Sequence, residues 1–254
     1  IIVQRPYKTV YRCGDTVVKI FSKDHPKTGV FNEALITAYV ETTGLPIPAV
    51  KSVDCIDGCW ALTIERADGR TLEAKMAEEP EKRTEYLEKF VDIQLRVNSF
   101  KATHLRNTRD KMEEEINSLK NLDPSTRYEL LQRLHGMPRH TKLCHGDFVP
   151  SNILIADDGS YKIIDWAHAT QGNAGADAAI SYMRFCLTDP SMAEEYLKIF
   201  SKKSDTAIQY VQKWMPIVAA AQLTKGVPEE KELLEQWISV AEYEPRDAAL
   251  GRGA

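Results

Sequence analysis

Up to about residue 65, apolar and β-branched positions come in short runs separated by turn residues; beyond that point they recur mostly at helical spacing. Residues 8–12 and 16–21 read as strands, and Cys13-Gly14-Asp15 between them is turn chemistry. A helix is expected over 31–43, closed by Gly44 and followed by Pro46. Its apolar residues (Leu35, Ile36, Ala38, Tyr39, Val40) lie on more than one side, which predicts packing on two faces. Strands over 49–53 and 60–65 follow, joined through Ile56-Asp57-Gly58.

The remainder reads as helical except around 143–165. Expected helices cover 84–98, 108–119, 124–135, 177–186, 191–200, 206–223 and 229–241. Asp123-Pro124 is a start signal, an acceptor at the cap and then a proline at the first helical position. Pro216 falls inside a helical run and is expected to kink it. The expected class is α+β. Residues 1–66 form a small β-rich lobe with one main helix, 67–71 a hinge, and 72–254 a larger, mostly helical lobe.

The interruption at 143–165 carries the candidate chemistry. Leu143-Cys144-His145-Gly146-Asp147-Phe148-Val149-Pro150-Ser151-Asn152 runs into two apolar strands, 152–156 and 161–165, with Asp157-Asp158-Gly159-Ser160 turning between them. If Ala156 faces Tyr161, Asn152 faces Asp165 across the open end, with Cβ atoms roughly 4.5–5.5 Å apart. An amide oxygen and a carboxylate held together, with Asp147 just before them, are hard ligands of the kind Mg²⁺ takes alongside phosphate and water. That set suits phosphoryl transfer, in which the protein positions a nucleotide, neutralises charge and orients the attacking hydroxyl. Asp147 would accept or orient the hydroxyl proton; Asn152 and Asp165 would hold the metal.

The H-G-D-x-x-x-x-N run resembles the catalytic loop of aminoglycoside phosphotransferases and choline kinases, where protein kinases carry H-R-D-x-x-x-x-N. Ile164-Asp165-Trp166 is similar to the group's metal-binding segment. The resemblance implies a bilobal, protein-kinase-like fold, ATP and Mg²⁺ as cofactors, and a small hydroxylated acceptor. It implies that Asp147 is catalytic, that Asn152 and Asp165 bind metal, that His145 supports the loop, and that Asp177 braces it. Val17-Val18-Lys19-Ile20-Phe21 resembles the kinase strand whose lysine contacts the α/β phosphates, and Glu33 would be its partner. Read alone, Lys19 is a lysine on a solvated strand face and Glu33 a surface carboxylate. The segment 63–69 resembles the family hinge, which implies that the Glu65 carbonyl and Ala67 amide meet adenine while Ile64 lines the pocket. One departure stands out: Arg5-Pro6-Tyr7-Lys8-Thr9 falls where kinases carry a Gly-rich loop and contains no glycine. Lys8 or Arg5 could neutralise charge there or be a surface residue.

Composition narrows the alternatives. A net charge of −4 and a pI near 5.9 leave no basic footprint for nucleic acid. No apolar run is long enough for a bilayer, and the opening Ile1–Pro6 lacks the order of a secretory leader and a starting Met. The five cysteines are scattered and odd in number, which points to reduced thiols and a cytoplasmic protein. The acidic runs at 78–81, 113–115 and 229–232 are expected to be solvated helix faces. Trp166, Tyr182, Trp214 and Trp237 are expected in the core, and the remaining histidines show no ligand spacing. A nucleotide-binding protein without transfer activity stays open as the alternative. A metallophosphoesterase would need a histidine cluster, and a protein kinase an A-P-E segment, neither of which occurs.

Overall fold

The computed structural model describes residues 1–239. Strands β1 (Val3–Arg5), β2 (Lys8–Cys13), β3 (Thr16–Phe21), β4 (Val50–Ile56) and β5 (Cys59–Glu65) form one antiparallel sheet in the order β1-β2-β3-β5-β4, with α1 (Lys27–Glu41) between β3 and β4 in the chain. Next come β6 (Arg70–Thr71), α2 (Leu72–Glu78), α3 (Arg83–Asn98), α4 (Thr108–Ser118) and α5 (Pro124–Gly136). Four short strands follow, β7 (Lys142–Cys144), β8 (Ile153–Ile155), β9 (Tyr161–Ile163) and β10 (Thr170–Gly172). The described chain ends in α6 (Ala174–Thr188), α7 (Pro190–Ser204), α8 (Ile208–Gln212), α9 (Met215–Leu223) and α10 (Lys231–Ile238). The expected α+β class is the one observed.

The chain packs as two compact units. One contains Ile1–Tyr86 together with Val149–Ala169; the other contains Leu87–Phe148 and the described residues from Thr170 to 239. The first therefore includes α2 and the β8–β9 hairpin, beyond the hinge expected at 67–71.

In the first unit, β3 alternates so that Lys19 and Phe21 turn inward. Phe21 meets Val30 and Ala34 of α1 and Leu62 of β5 in a small core. The buried stripe of α1 is Val30, Glu33, Ala34, Thr37 and Val40, at spacings of three and four, so Glu33 lies on the core face. Leu35 and Tyr39 are exposed, so α1 packs on one face and not on two. The helix also starts at Lys27, four residues ahead of expectation, because Gly29 is accommodated within its first turns.

In the second unit, an aromatic cluster anchors the core. Phe90 of α3 lies 4.7 Å from Phe148, 5.4 Å from Phe185 and 5.6 Å from Tyr196, ring centre to ring centre. The tyrosine is not left with an orphan hydroxyl: it donates to Gln94 Oε1 at 2.7 Å. Trp166 in the first unit and Tyr182 and Trp214 in the second are buried, as expected, while Trp237 is only half-buried.

Four expectations change. The β8–β9 register pairs Ile153 with Ile163 and Ile155 with Tyr161, so Asn152 stands level with Ile164 and not with Asp165. The cause is the turn: Ala156 N–H donates to the Ser160 carbonyl, and the three residues between them include Gly159 at φ 81°, a three-residue loop closed by a left-handed glycine. The run expected as one kinked helix over 206–223 is broken into α8 and α9, and Pro216 lies in the first turn of α9, where its missing N–H removes no bond. α6 begins at Ala174, three residues early, because the Asn173 side chain accepts the Gly175 N–H at 2.8 Å. The strand β1 went unexpected. The end of the helix expected over 229–241 lies outside the described residues; the described part is a short 3₁₀ turn, Pro228–Glu230, and then α10.

Gly69 shows how tightly β6 meets β8. Its φ is 123°, and a Cβ placed there would stand 2.5 Å from the Ile155 carbonyl oxygen. Gly69→Ala should therefore cost at least about 2 kcal/mol, read as a lower urea midpoint at unchanged slope.

Candidate active site

In the first unit, Lys19 of β3 is 9% exposed and Glu33 of α1 6% exposed. Lys19 Nζ donates to Glu33 Oε1 at 2.5 Å and to Asp165 Oδ1 at 3.3 Å. Burial alone would lower the lysine pKa, but the Asp165 and Glu33 carboxylates outweigh it, and the ammonium is held above the ordinary lysine value. A raised pKa means that the stability Lys19 contributes is fully present below about pH 10.4 and is lost as pH rises through the folded-state value. The solvated readings of Lys19 and Glu33 are thus excluded: the two residues are a buried ion pair.

Asp165 ends the hairpin in a left-handed conformation, φ 63°, which swings the chain out of the strand after Ile164. The Ile164 N–H donates to the Asn152 carbonyl at 2.9 Å, so Asn152 and Asp165 leave the hairpin at adjoining rungs. The off-by-one register thus still delivers both residues to the same end. A second cation joins them. Lys8 Nζ lies 3.8 Å from Asp165 Oδ1, and its side chain is only 13% exposed, whereas Arg5 is exposed. Lys19, Glu33, Thr37, Ile64, Ile164 and Asp165 line one small hollow.

The residues expected to meet adenine lie in β5 and just after it. Ile64 is half-buried in β5, between Val17 and Val50 of the neighbouring strands. Glu65 donates its N–H to the Ala49 carbonyl at 2.7 Å and accepts Lys162 Nζ at 2.9 Å, which holds its carboxyl below the usual range. Ala67 lies just past the sheet, outside any regular element.

In the second unit, β7 leads into His145-Gly146-Asp147. His145 is fully buried, and its Nδ1 accepts the Asp147 N–H at 3.3 Å. Asp177, 1% exposed, accepts the Gly146 N–H at 2.8 Å with one carboxylate oxygen and Asn98 Nδ2 at 3.1 Å with the other. Asn98 also donates to the Leu143 carbonyl at 3.0 Å, so α3, α6 and the loop are bonded through two side chains. Ser181 adds a bond to the Phe148 carbonyl at 2.7 Å. Sequence reasoning found Asp177 through the resemblance but missed Asn98 and Ser181, polar residues inside otherwise apolar helical stripes. Arg184, whose Nε lies 3.7 Å from Asp147 Oδ1, was missed as well. Its own partner is Glu230 at 3.2 Å, which belongs to an acidic run read as solvated but is largely covered. Cys144 beside the loop is buried, and that burial pushes its thiol well above the ordinary value. None of the five cysteines is joined in a disulfide.

Among the described residues, no three or more His, Cys, Asp or Glu side chains gather to bind a metal by themselves. The donor set of Asn152 and Asp165 fits an ion that takes one or two protein oxygens and completes its shell from phosphate and water, which is the habit of Mg²⁺.

Residues 5–210 match APH, the phosphotransferase enzyme family, and the chain belongs to that family. It is a small-molecule phosphotransferase. No curated protein matches the sequence. Solved structures show the same fold at low identity. A thermostable mutant of aminoglycoside phosphotransferase APH(4)-Ia is 16% identical with a TM-score of 0.66, over 93% of this chain and 89% of that one. Aminoglycoside phosphotransferase APH(3'')-Id from Streptomyces rimosus is 17% identical with a TM-score of 0.62, over 85% and 91%. A choline/ethanolamine kinase family protein from Mesorhizobium loti is 16% identical with a TM-score of 0.57, over 97% and 83%. APH(4)-Ia has also been solved as a ternary complex with ADP and hygromycin B; that structure is 15% identical, with a TM-score of 0.62, over 92% and 90%.

Removing one member of a buried ion pair strands the other. Lys19→Met or Glu33→Leu alone should cost about 3–5 kcal/mol in urea unfolding, and the double variant should recover most of that loss.

Proposed function

We propose that the protein transfers the terminal phosphoryl group of ATP to a hydroxyl of a small molecule, with Mg²⁺ as the assisting ion. The observation that carries this reading is the buried Lys19 ammonium shared between Glu33 and Asp165. A buried cation pinned by a helix carboxylate and a loop carboxylate is suited to hold nucleotide phosphates. Glu33 fixes its direction. Lys8, drawn to the same Asp165 oxygen from the strand after the Pro6-Tyr7 turn, neutralises phosphate charge that a glycine-rich loop would otherwise meet with backbone amides. Ile64, the Glu65 carbonyl and the Ala67 amide hold the adenine. Asn152 and Asp165 would hold Mg²⁺, which neutralises charge on the phosphate oxygens. ATP use is supported by the neighbour solved with ADP.

Asp147 acts on the acceptor. It orients the hydroxyl and takes its proton as the acceptor oxygen bonds to the γ-phosphorus. The bond to the β–γ bridging oxygen breaks, and ADP leaves with that electron pair. His145 and Asp177 hold the loop so that the Asp147 carboxylate has one orientation. The helical unit, from Asp177 through the segment to Tyr243, shapes the acceptor site; Tyr243 itself lies outside the described residues. An aminoglycoside, another sugar or an amino alcohol fits the class, and one neighbour was solved with hygromycin B. No helix of the described residues is long and apolar enough to cross a membrane. A cytoplasmic location, where ATP is supplied, completes the reading.

The test is a coupled ADP-release screen over such acceptors, with and without Mg²⁺. Wild type should turn over at least one acceptor only with the metal. Asp147→Ala should lower kcat by roughly 10³-fold or more while ATP still binds. ATP binding without transfer to any acceptor would favour the nucleotide-binding alternative, and full activity in Asp147→Ala would remove Asp147 from the mechanism.

A further inference from the structure

Three side chains on one face of α6 meet three consecutive residues of the catalytic loop. Asp177, Ser181 and Arg184 stand four and seven residues apart, which places them on one stripe of the helix. Asp177 takes the Gly146 N–H, Ser181 bonds the Phe148 carbonyl, and Arg184 Nε lies 3.7 Å from Asp147 Oδ1. The first two fix the backbone on either side of Asp147, and only the third reaches its carboxylate.

Arg184 is itself held. Its Nη1 donates to Glu230 Oε1 at 3.2 Å, and Glu230 Oε2 accepts Gln222 Nε2 at 2.6 Å. Gln222, in α9, is 5% exposed, and the Glu230 side chain is 16% exposed, so the far end of this chain is anchored in packed structure. A guanidinium tied down on one side presents its remaining N–H groups in a fixed direction.

We propose that Arg184 is the positioning residue of Asp147, and that Glu230 and Gln222 hold Arg184 for that purpose. The inference rests on the reading of Asp147 as the group that handles the acceptor hydroxyl. Arg184 reaches the Asp147 carboxylate, so on this reading its contribution is to orientation during transfer and not to nucleotide binding. Lys111 of α4 also lies within electrostatic reach of Asp147, but it makes no ion pair with Asp147 among the described residues, so it does not fix a direction.

The experiment uses the full chain, ATP and an acceptor that the wild type phosphorylates. Arg184→Ala should lower kcat about 10–100-fold with the KM for ATP within about twofold of wild type, and added guanidinium should restore part of the lost rate. Glu230→Gln should lower kcat less, and adding it to Arg184→Ala should change nothing further, because both act through one chain of contacts. A kcat within twofold of wild type in Arg184→Ala overturns the proposal, as does a loss that guanidinium does not relieve. Asp147→Ala separates the two levels. If it is inactive while Arg184→Ala is normal, only the positioning role falls; if it is active, the reading of Asp147 falls with it.

Discussion

A buried charge must be answered by another, and in the first unit that requirement organises the structure. The Lys19 ammonium lies on the inward face of the central strand, with Glu33 on the core stripe of α1 and Asp165 at the end of the β8–β9 hairpin. Three segments far apart in sequence are thus tied to one nitrogen. Desolvating an ammonium costs several kcal/mol unless its partners are well placed, so the strand, the helix and the hairpin end must keep their relative positions for the charge to be tolerated. The same demand leaves one cation and two carboxylates together at the end of the hairpin.

The second unit solves a different problem. The loop that carries Asp147 has to keep one shape outside any regular element, and its backbone groups still need partners. Here Asn98, Asp177 and Ser181 satisfy the loop backbone from α3 and α6, and His145 folds its imidazole back onto the Asp147 amide. These contacts are directional and at least partly buried, so they set geometry more than they add net stability. The aromatic cluster around Phe90 and Phe148 gives the loop a rigid floor.

Much of this was legible in the sequence, for identifiable reasons. β3 and β5 were readable because β-branched and aromatic residues fall between turn signals, and the Asp123 cap marks a real helix start. The H-G-D-x-x-x-x-N spacing carried the candidate site residues Asp147 and Asn152. What failed did so through local geometry that composition does not encode. A three-residue turn and a four-residue turn have the same residues at Asp157-Asp158-Gly159-Ser160, yet they differ by one rung in register. Pro216 reads alike as a kink within a helix or as the opening turn of a new one. Leu35 and Tyr39 are apolar but exposed, and only the structure tells which side of α1 is covered. Glu230 looked like one more solvated carboxylate until Arg184, forty-six residues away, was found against it.

The central claim is that the Lys19 ammonium is kept buried and paired in order to meet nucleotide phosphate. Calorimetric titration of ATP and of adenosine against the Lys19→Met, Glu33→Leu double variant addresses it most directly, since that variant removes the charges while keeping the fold. The account predicts that adenosine binds as it does to the wild type, while ATP binding weakens by about tenfold or more, near 1.4 kcal/mol. Equal ATP affinity in the two proteins would contradict it.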